Sequence, residues 1–185
     1  MEKDRGIKTK TLSLRLDPKT KFSLEFVARI KGQTITTVVE RAILESCNRV
    51  TIHGPAGFKV DDPCNWQLFW DAEEGIRTLL LLSSPEYPTN FDEDDLLEFI
   101  SAHSIFFASD DEFIYLRRAF VHVLWPKIKS YRLIWKEQRD TDYWAAGRAM
   151  AVDLKAAKLT PPEWPPQTNA TVKSDNRKTR RDAKR

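Results

Sequence analysis

The sequence predicts a mostly α-helical protein in which a small strand–helix–helix unit precedes a larger helical domain. Polar and apolar residues alternate over residues 11–16, helical spacing follows from residue 18 to about 44, and further helical segments fill residues 63–160. With 185 residues, 41% of them hydrophobic, the chain is long enough to bury a core.

The alternating residues predict a strand with one polar and one apolar face. The polar face carries Thr11, Ser13 and Arg15, and the apolar face carries Leu12, Leu14 and Leu16. A lone strand lacks hydrogen-bond partners, and about forty residues bury too little surface to fold alone. We therefore expect a homodimer in which two strands pair about a two-fold axis. Its core is predicted to contain the three leucines together with Phe26, Ile35, Val39 and Ile43.

Two short helices follow the strand. Asp17 is a favourable N-cap and Pro18 a favourable first residue for a helix over 18–31, which Gly32 should end. Thr34 should cap a second helix, whose apolar residues recur at helical spacing through Ile43.

The stretch from Lys10 to about Leu44, with its Asp-Pro turn and "KGQT" turn, resembles the ribbon-helix-helix family of the Arc, MetJ and CopG type. This resemblance covers about a fifth of the chain. It implies an intertwined dimer, with higher-order assembly on DNA, that lays a two-stranded ribbon in the major groove. It implies that Thr11, Ser13 and Arg15 read bases and that Gln33, Thr34 and Thr36 bind phosphate.

Physical chemistry is compatible with these roles. Arginine pairs bidentately with guanine, hydroxyl groups serve several bases, and a helix N-terminus attracts phosphate. Lys8, Lys10 and Lys19 are further candidates for phosphate contacts. The alternative is that Arg15 forms a surface ion pair and the lysines only solvate the chain.

Composition divides the rest of the chain. We expect a flexible basic arm at 1–7, the ribbon-helix-helix domain at 8–50, a linker at 51–62, a helical domain at 63–160 and a disordered tail at 161–185, proline-rich and then basic.

Residues 61–112 hold 14 acidic residues and one basic residue, a balance of −13, whereas residues 167–185 hold seven basic and two acidic residues. The acidic segment should therefore face away from DNA.

The helical domain is predicted to contain a helix over 63–82, a helix over 92–107 and a final helix over 141–159. A capping box at Ser109–Glu112 should start another helix, which Pro126 kinks or ends. The domain contains five tryptophans, and we expect them either to line a ligand pocket or to form the core. Aromatic residues at helical spacing more often belong to the core. The domain is accordingly expected to sense a small effector, to oligomerise or to bind a protein partner.

No catalytic, metal-binding or cofactor-binding motif stands out, so we expect no enzyme, metal or cofactor. No segment is apolar enough to suggest a membrane span, and the absence of an apolar leader predicts a cytoplasmic, nucleoid-associated protein. The sequence thus predicts a protein that binds double-stranded DNA, namely a bacterial or phage-type transcriptional repressor. The alternative is an accessory protein, such as an antitoxin, a plasmid partition factor or a DNA-processing factor, whose helical domain binds a protein.

Overall fold

A computed structural model describes residues 11, 13–54, 63–110, 113 and 115–166. The chain divides into two compact units between Val50 and Thr51. Over the described ranges the regular structure is helical, and the predicted mostly α fold class is confirmed. None of the helices in these ranges is long and apolar enough to cross a membrane.

The N-terminal unit contains helices α1 (Pro18–Lys31) and α2 (Ile35–Asn48). The Asp17 carboxylate caps α1, because it accepts hydrogen bonds from the backbone N–H groups of Lys19 (2.9 Å) and Thr20 (3.1 Å). Gly32 ends α1 in the left-handed region with φ 60°, which favours glycine. Thr34 caps α2 by accepting a hydrogen bond from the N–H group of Thr37 at 3.1 Å. The predicted 18–31 span of α1, its end at Gly32 and the Thr34 cap of α2 are confirmed, whereas α2 extends to Asn48, beyond the predicted helical spacing.

The predicted strand is not formed within this single chain. Thr11 and Ser13–Asp17 are irregular and exposed, and the described residues contain no β-strand; Leu12 lies outside them. A strand requires a neighbour to accept and donate its backbone hydrogen bonds, and one copy of the chain offers none here. The ribbon therefore stays a prediction about a pair of chains.

The second unit contains six helices among its described residues: α3 (Trp66–Phe69), α4 (Glu74–Ser83), α5 (Phe91–Ala102), α6 (Arg118–Leu124), α7 (Ile128–Gln138) and α8 (Ala145–Ala156). Short 3-10 turns occupy Ser104–Phe106 and Trp125–Lys127. The second of these turns contains Pro126, at the predicted interruption. The final helix is shorter than the predicted 141–159 span, and the predicted 92–107 helix ends at Ala102.

The prediction of one helix over 63–82 is wrong, because the chain turns between α3 and α4. The Asp71 carboxylate accepts a hydrogen bond from the backbone N–H of Glu73 at 2.9 Å. The Arg77 guanidinium donates to the backbone carbonyls of Asp71 (2.6 Å) and Ala72 (3.1 Å). Arg118 of α6 also pairs with the Asp71 carboxylate at 2.7 Å, which fixes the turn through a tertiary contact.

The predicted helix start at Ser109–Glu112 is also wrong, since α6 begins at Arg118. Ala108 instead forms an isolated antiparallel bridge with Leu116, and the Arg117 N–H donates to the Phe107 carbonyl at 2.8 Å. The Asp110 carboxylate accepts from the Tyr115 N–H at 2.8 Å, so it holds a loop and not a helix end. Asp111 and Glu112 lie outside the described residues.

A continuous core lies between α4, α5, α6, α7 and α8. Its fully buried side chains include Ile76, Phe99, Phe106, Leu124 and Met150. At the boundary of this core, Arg132 and Lys136 of α7 both pair with Asp95 of α5. Burial alone would raise the pKa of Asp95. Hydrogen bonds from Arg132 and Lys136 outweigh this effect and hold the pKa below its usual value.

The chain after α8 contacts this core through Leu159 and Trp164, the second of which lies in the segment predicted as a disordered tail from residue 161. Trp164 is half-buried, with its indole against the rings of His103 and Phe106. Residues 167–185, which hold most of the predicted tail, lie outside the described part of the chain.

Candidate nucleic-acid interface

The polar residues that precede α1 lie on the surface of the N-terminal unit. Thr11, Ser13 and Arg15 are all exposed, and so is Lys19 in the first turn of α1. Arg15 makes no ion pair with another described residue of the unit. These side chains are therefore available to a ligand; Lys8 and Lys10 lie outside the described residues.

The amino end of α2 presents backbone donors beside two threonine hydroxyl groups. The first intrahelical bond of α2 runs from the Val38 N–H to the Thr34 carbonyl at 3.1 Å, and the Thr34 hydroxyl accepts from Thr37. The N–H groups of Ile35 and Thr36 consequently have no acceptor within the helix, and Thr36 is exposed. Such a helix end attracts phosphate through its free donors and its dipole.

Gln33 differs from its two neighbours in the predicted phosphate set. Its side chain is half-buried, and its Oε1 atom is buried without a hydrogen-bond partner among the described residues. The structure thus places Thr34 and Thr36 together on the surface, whereas Gln33 is partly covered by its own unit.

An exposed apolar face runs along the N-terminal unit. Among the described residues of this unit, only Ala28 and Val38 are buried hydrophobic residues. Large apolar side chains stay exposed before α1, in both helices and just after α2: Leu14, Leu16, Phe22, Phe26, Ile30, Ile35, Ile43, Leu44 and Val50. Val39 is half-buried. Exposed apolar side chains grouped in this number are typical of a surface that a partner covers.

The predicted dimer core omitted Phe22, Ile30 and Leu44, which share this exposure. Phe22 and Ile30 lie four residues before and after Phe26, so all three occupy one face of α1. The helical spacing of these residues in the sequence carried this signal.

The second unit has a surface depression and, among its described residues, no grouped metal ligands. A surface depression of about 420 Å³ lies between α6 and the end of α8, and it is lined by Glu73, Arg118, Ala119, His122, Val123, Ala157 and Leu159. The tryptophans are not part of its lining; Trp135 belongs to the buried core, and Trp66 and Trp70 are exposed. Over the described ranges, no three acidic, histidine or cysteine side chains are grouped to hold a metal ion.

Comparison with known proteins identified no matching family model, no matching curated protein and no matching solved structure.

Proposed function

We propose that the chain is a sequence-specific DNA-binding protein of the ribbon-helix-helix kind, acting as a dimeric transcriptional repressor. Two copies pair through residues 11–16 and bury their apolar faces against each other. Thr11, Ser13 and Arg15 of both copies then enter the major groove of double-stranded DNA, whose width admits a two-stranded ribbon.

The observation that carries this proposal is the exposed apolar face of α1 and α2 next to an exposed polar segment. Burying a fully exposed apolar side chain contributes roughly 1.5–3 kcal/mol. The side chains of this face are about half covered in the single chain, so each contributes about half of that amount, and together they stabilise the dimer. The same pairing supplies the neighbour that the predicted strand lacks. The ends of the two α2 helices then hold the ribbon over the DNA backbone.

The packed core of the second unit favours the proposal that the chain is a transcriptional regulator over the alternative that it is an antitoxin. Antitoxin segments that fold on a partner expose their apolar residues when alone, whereas residues 76–154 bury a continuous set of large side chains within one chain. The second unit in this proposal binds an effector or a protein partner, or adds contacts between copies that are too weak to hold the dimer without the ribbon.

Leu14→Lys tests the proposal, with Leu133→Lys as its matched control. Both leucines are 56% exposed in the single chain, but Leu14 lies in the proposed ribbon and Leu133 on α7. The Leu14 variant should sediment as a monomer and lose binding to duplex DNA, because a lysine in the dimer core buries an unpaired charge. The Leu133 variant should keep both properties. A Leu14→Lys protein that stays dimeric and binds DNA normally would remove the basis of the proposal.

A further inference from the structure

Trp164 is inserted into an aromatic slot of the second unit. We name residues 160–166, "TPPEWPP", the strap; the slot consists of His103, Phe106, Trp144 and Gly147. The ring centre of Trp164 lies 5.3 Å from that of His103, 5.1 Å from that of Phe106 and 5.0 Å from that of Trp144. The indole stacks on the imidazole and meets the other two rings edge to face, which are favourable geometries for aromatic pairs.

The slot also satisfies the polar atom of the indole and fits its shape. The Trp164 Nε1–H donates a hydrogen bond to the backbone carbonyl of Trp144 at 3.2 Å. A Cβ atom at Gly147 would lie 2.1 Å from the indole, so glycine is required there for the ring to enter. Shape, ring stacking and a directed hydrogen bond thus all select an indole.

The strap has the properties of a bound peptide rather than of a structural element. Its four prolines donate no backbone hydrogen bond, and the ring of each restricts the backbone of the strap before binding. The strap follows the end of α8, so its departure breaks no helix of the unit. A restricted segment with one aromatic side chain loses little conformational freedom on binding, which favours recognition as a peptide.

We infer that the slot is a peptide-binding site for a tryptophan flanked by prolines, which this chain fills with its own strap. The same segment offered by another molecule replaces the strap when the strap is weakened. Because the strap is tethered beside the slot, its effective concentration reaches the millimolar range, and a free peptide competes poorly with the intact chain.

Replacing Trp164 empties the slot, so that peptide binding can be measured. Trp164→Ala in the full chain should bind a synthetic peptide of residues 160–166 at one site in calorimetric titration. The same peptide with alanine in place of tryptophan should bind at least tenfold more weakly. A Trp164→Ala chain with a native circular dichroism spectrum that binds neither peptide, or both equally, would overturn the inference.

Gly147→Ala locates the binding to the slot. Added to the Trp164→Ala chain, this substitution should weaken the peptide at least tenfold, because the new methyl group occupies the space of the indole. It should not unfold α8, since alanine favours a helix over glycine. Unchanged affinity would show that the peptide binds elsewhere and would contradict the assignment.

If Trp164→Ala fails to fold, the wild-type chain gives the answer by NMR. Several-millimolar peptide should move the indole N–H signal of Trp164 toward its position in a free peptide. A signal that stays fixed would identify Trp164 as a permanent part of the core and would overturn the inference.

Discussion

Phe22 and Phe26 stack on each other on α1, with ring centres 6.3 Å apart, and both rings are mostly exposed. A stacked aromatic pair on the surface of a two-helix unit is typical of a surface that a partner covers. In our account the partner is the second copy of the chain.

Phe26→Asp should therefore dissociate the dimer, with Phe91→Asp as control. Phe26 is 56% exposed and Phe91 83% exposed in the single chain, so neither substitution removes a buried side chain of the single chain. Loss of one buried phenylalanine costs about 3–5 kcal/mol, which raises the Kd for dimerisation at least a hundredfold. Sedimentation equilibrium measures both variants. Equal dimerisation by the two would exclude α1 from the interface.

Arg15→Ala should weaken binding to a preferred DNA site by about 1–3 kcal/mol and relax the preference at one base position in each half-site. Lys19→Ala is the control, because removing a charge that binds phosphate weakens binding to all sequences alike and lowers the salt dependence. Fluorescence anisotropy titrations on matched and altered duplexes distinguish these effects. If Arg15→Ala leaves the base preference unchanged, the direct-readout role is wrong.

Thr34→Ala should loosen the start of α2. Removing the cap on the Thr37 N–H costs about 1 kcal/mol, or roughly a fivefold faster amide exchange in the first turn. Thr36→Ala removes an exposed hydroxyl in the same turn and should leave exchange unchanged, yet both variants should weaken DNA binding. Exchange measured by NMR on the full chain separates capping from phosphate binding; equal exchange in the two variants would contradict this distinction.

The stability of the second unit should fall as the pH drops below about 6.5. Burial lowers the pKa of His103 from its ordinary value of 6.5, although its hydrogen bond to the Phe99 carbonyl acts in the opposite direction. Below about pH 6.5, His103 therefore binds a proton in the unfolded chain but stays neutral in the folded chain. The free energy of unfolding falls by up to about 1.4 kcal/mol per pH unit as a result. Asp95 also has a lowered pKa, but its protonation affects the stability only in more acidic solution.

Urea unfolding between pH 7.5 and 5.5 tests this, with His103→Phe as the informative variant. Phenylalanine suits the aromatic surroundings of residue 103, including Phe99 and Trp135, and should abolish the slope contributed by this residue. His122→Gln is the control, because that side chain is exposed. A slope that persists fully in His103→Phe would assign it to other groups.

A fragment of residues 63–166 should be helical and unable to bind duplex DNA. Its N-terminal half carries most of the −13 balance of residues 61–112, which repels phosphates. The fragment extends to residue 166 because Trp164 packs on its core. Circular dichroism and a DNA titration at low salt test both parts, and tight, salt-sensitive binding would place the function in the other half of the chain.

Local signals predicted the N-terminal unit well. Asp17, Gly32 and Thr34 mark the ends of α1 and α2 in the sequence, and the structure uses each as expected, since a cap depends on neighbours within a few residues. The predicted strand is absent from the described residues, and in our proposal its neighbour is a second copy of the chain. The dimer core stays a prediction, and it omitted Phe22 and Ile30, which lie on the same face of α1 as Phe26.

Tertiary contacts explain the errors in the second unit. The break before α4 depends on Arg118, which pairs with Asp71 across 47 residues of sequence. The start of α6 depends on the bridge between Ala108 and Leu116, which holds its leading residues extended. The position of Trp164 depends on a glycine in α8 that gives its ring room. Helical periodicity in the sequence reports local structure, so it does not predict such long-range contacts.

Binding-site selection from a pool of random duplexes tests the central claim most directly. The full chain, at physiological salt, should enrich sequences with two-fold symmetry and bind them at least about a thousandfold more tightly than scrambled duplexes. The Arg15→Ala chain should select a different or more degenerate site. A wild-type chain that enriches no sequence, or an Arg15→Ala chain that enriches the same site equally well, would contradict the account.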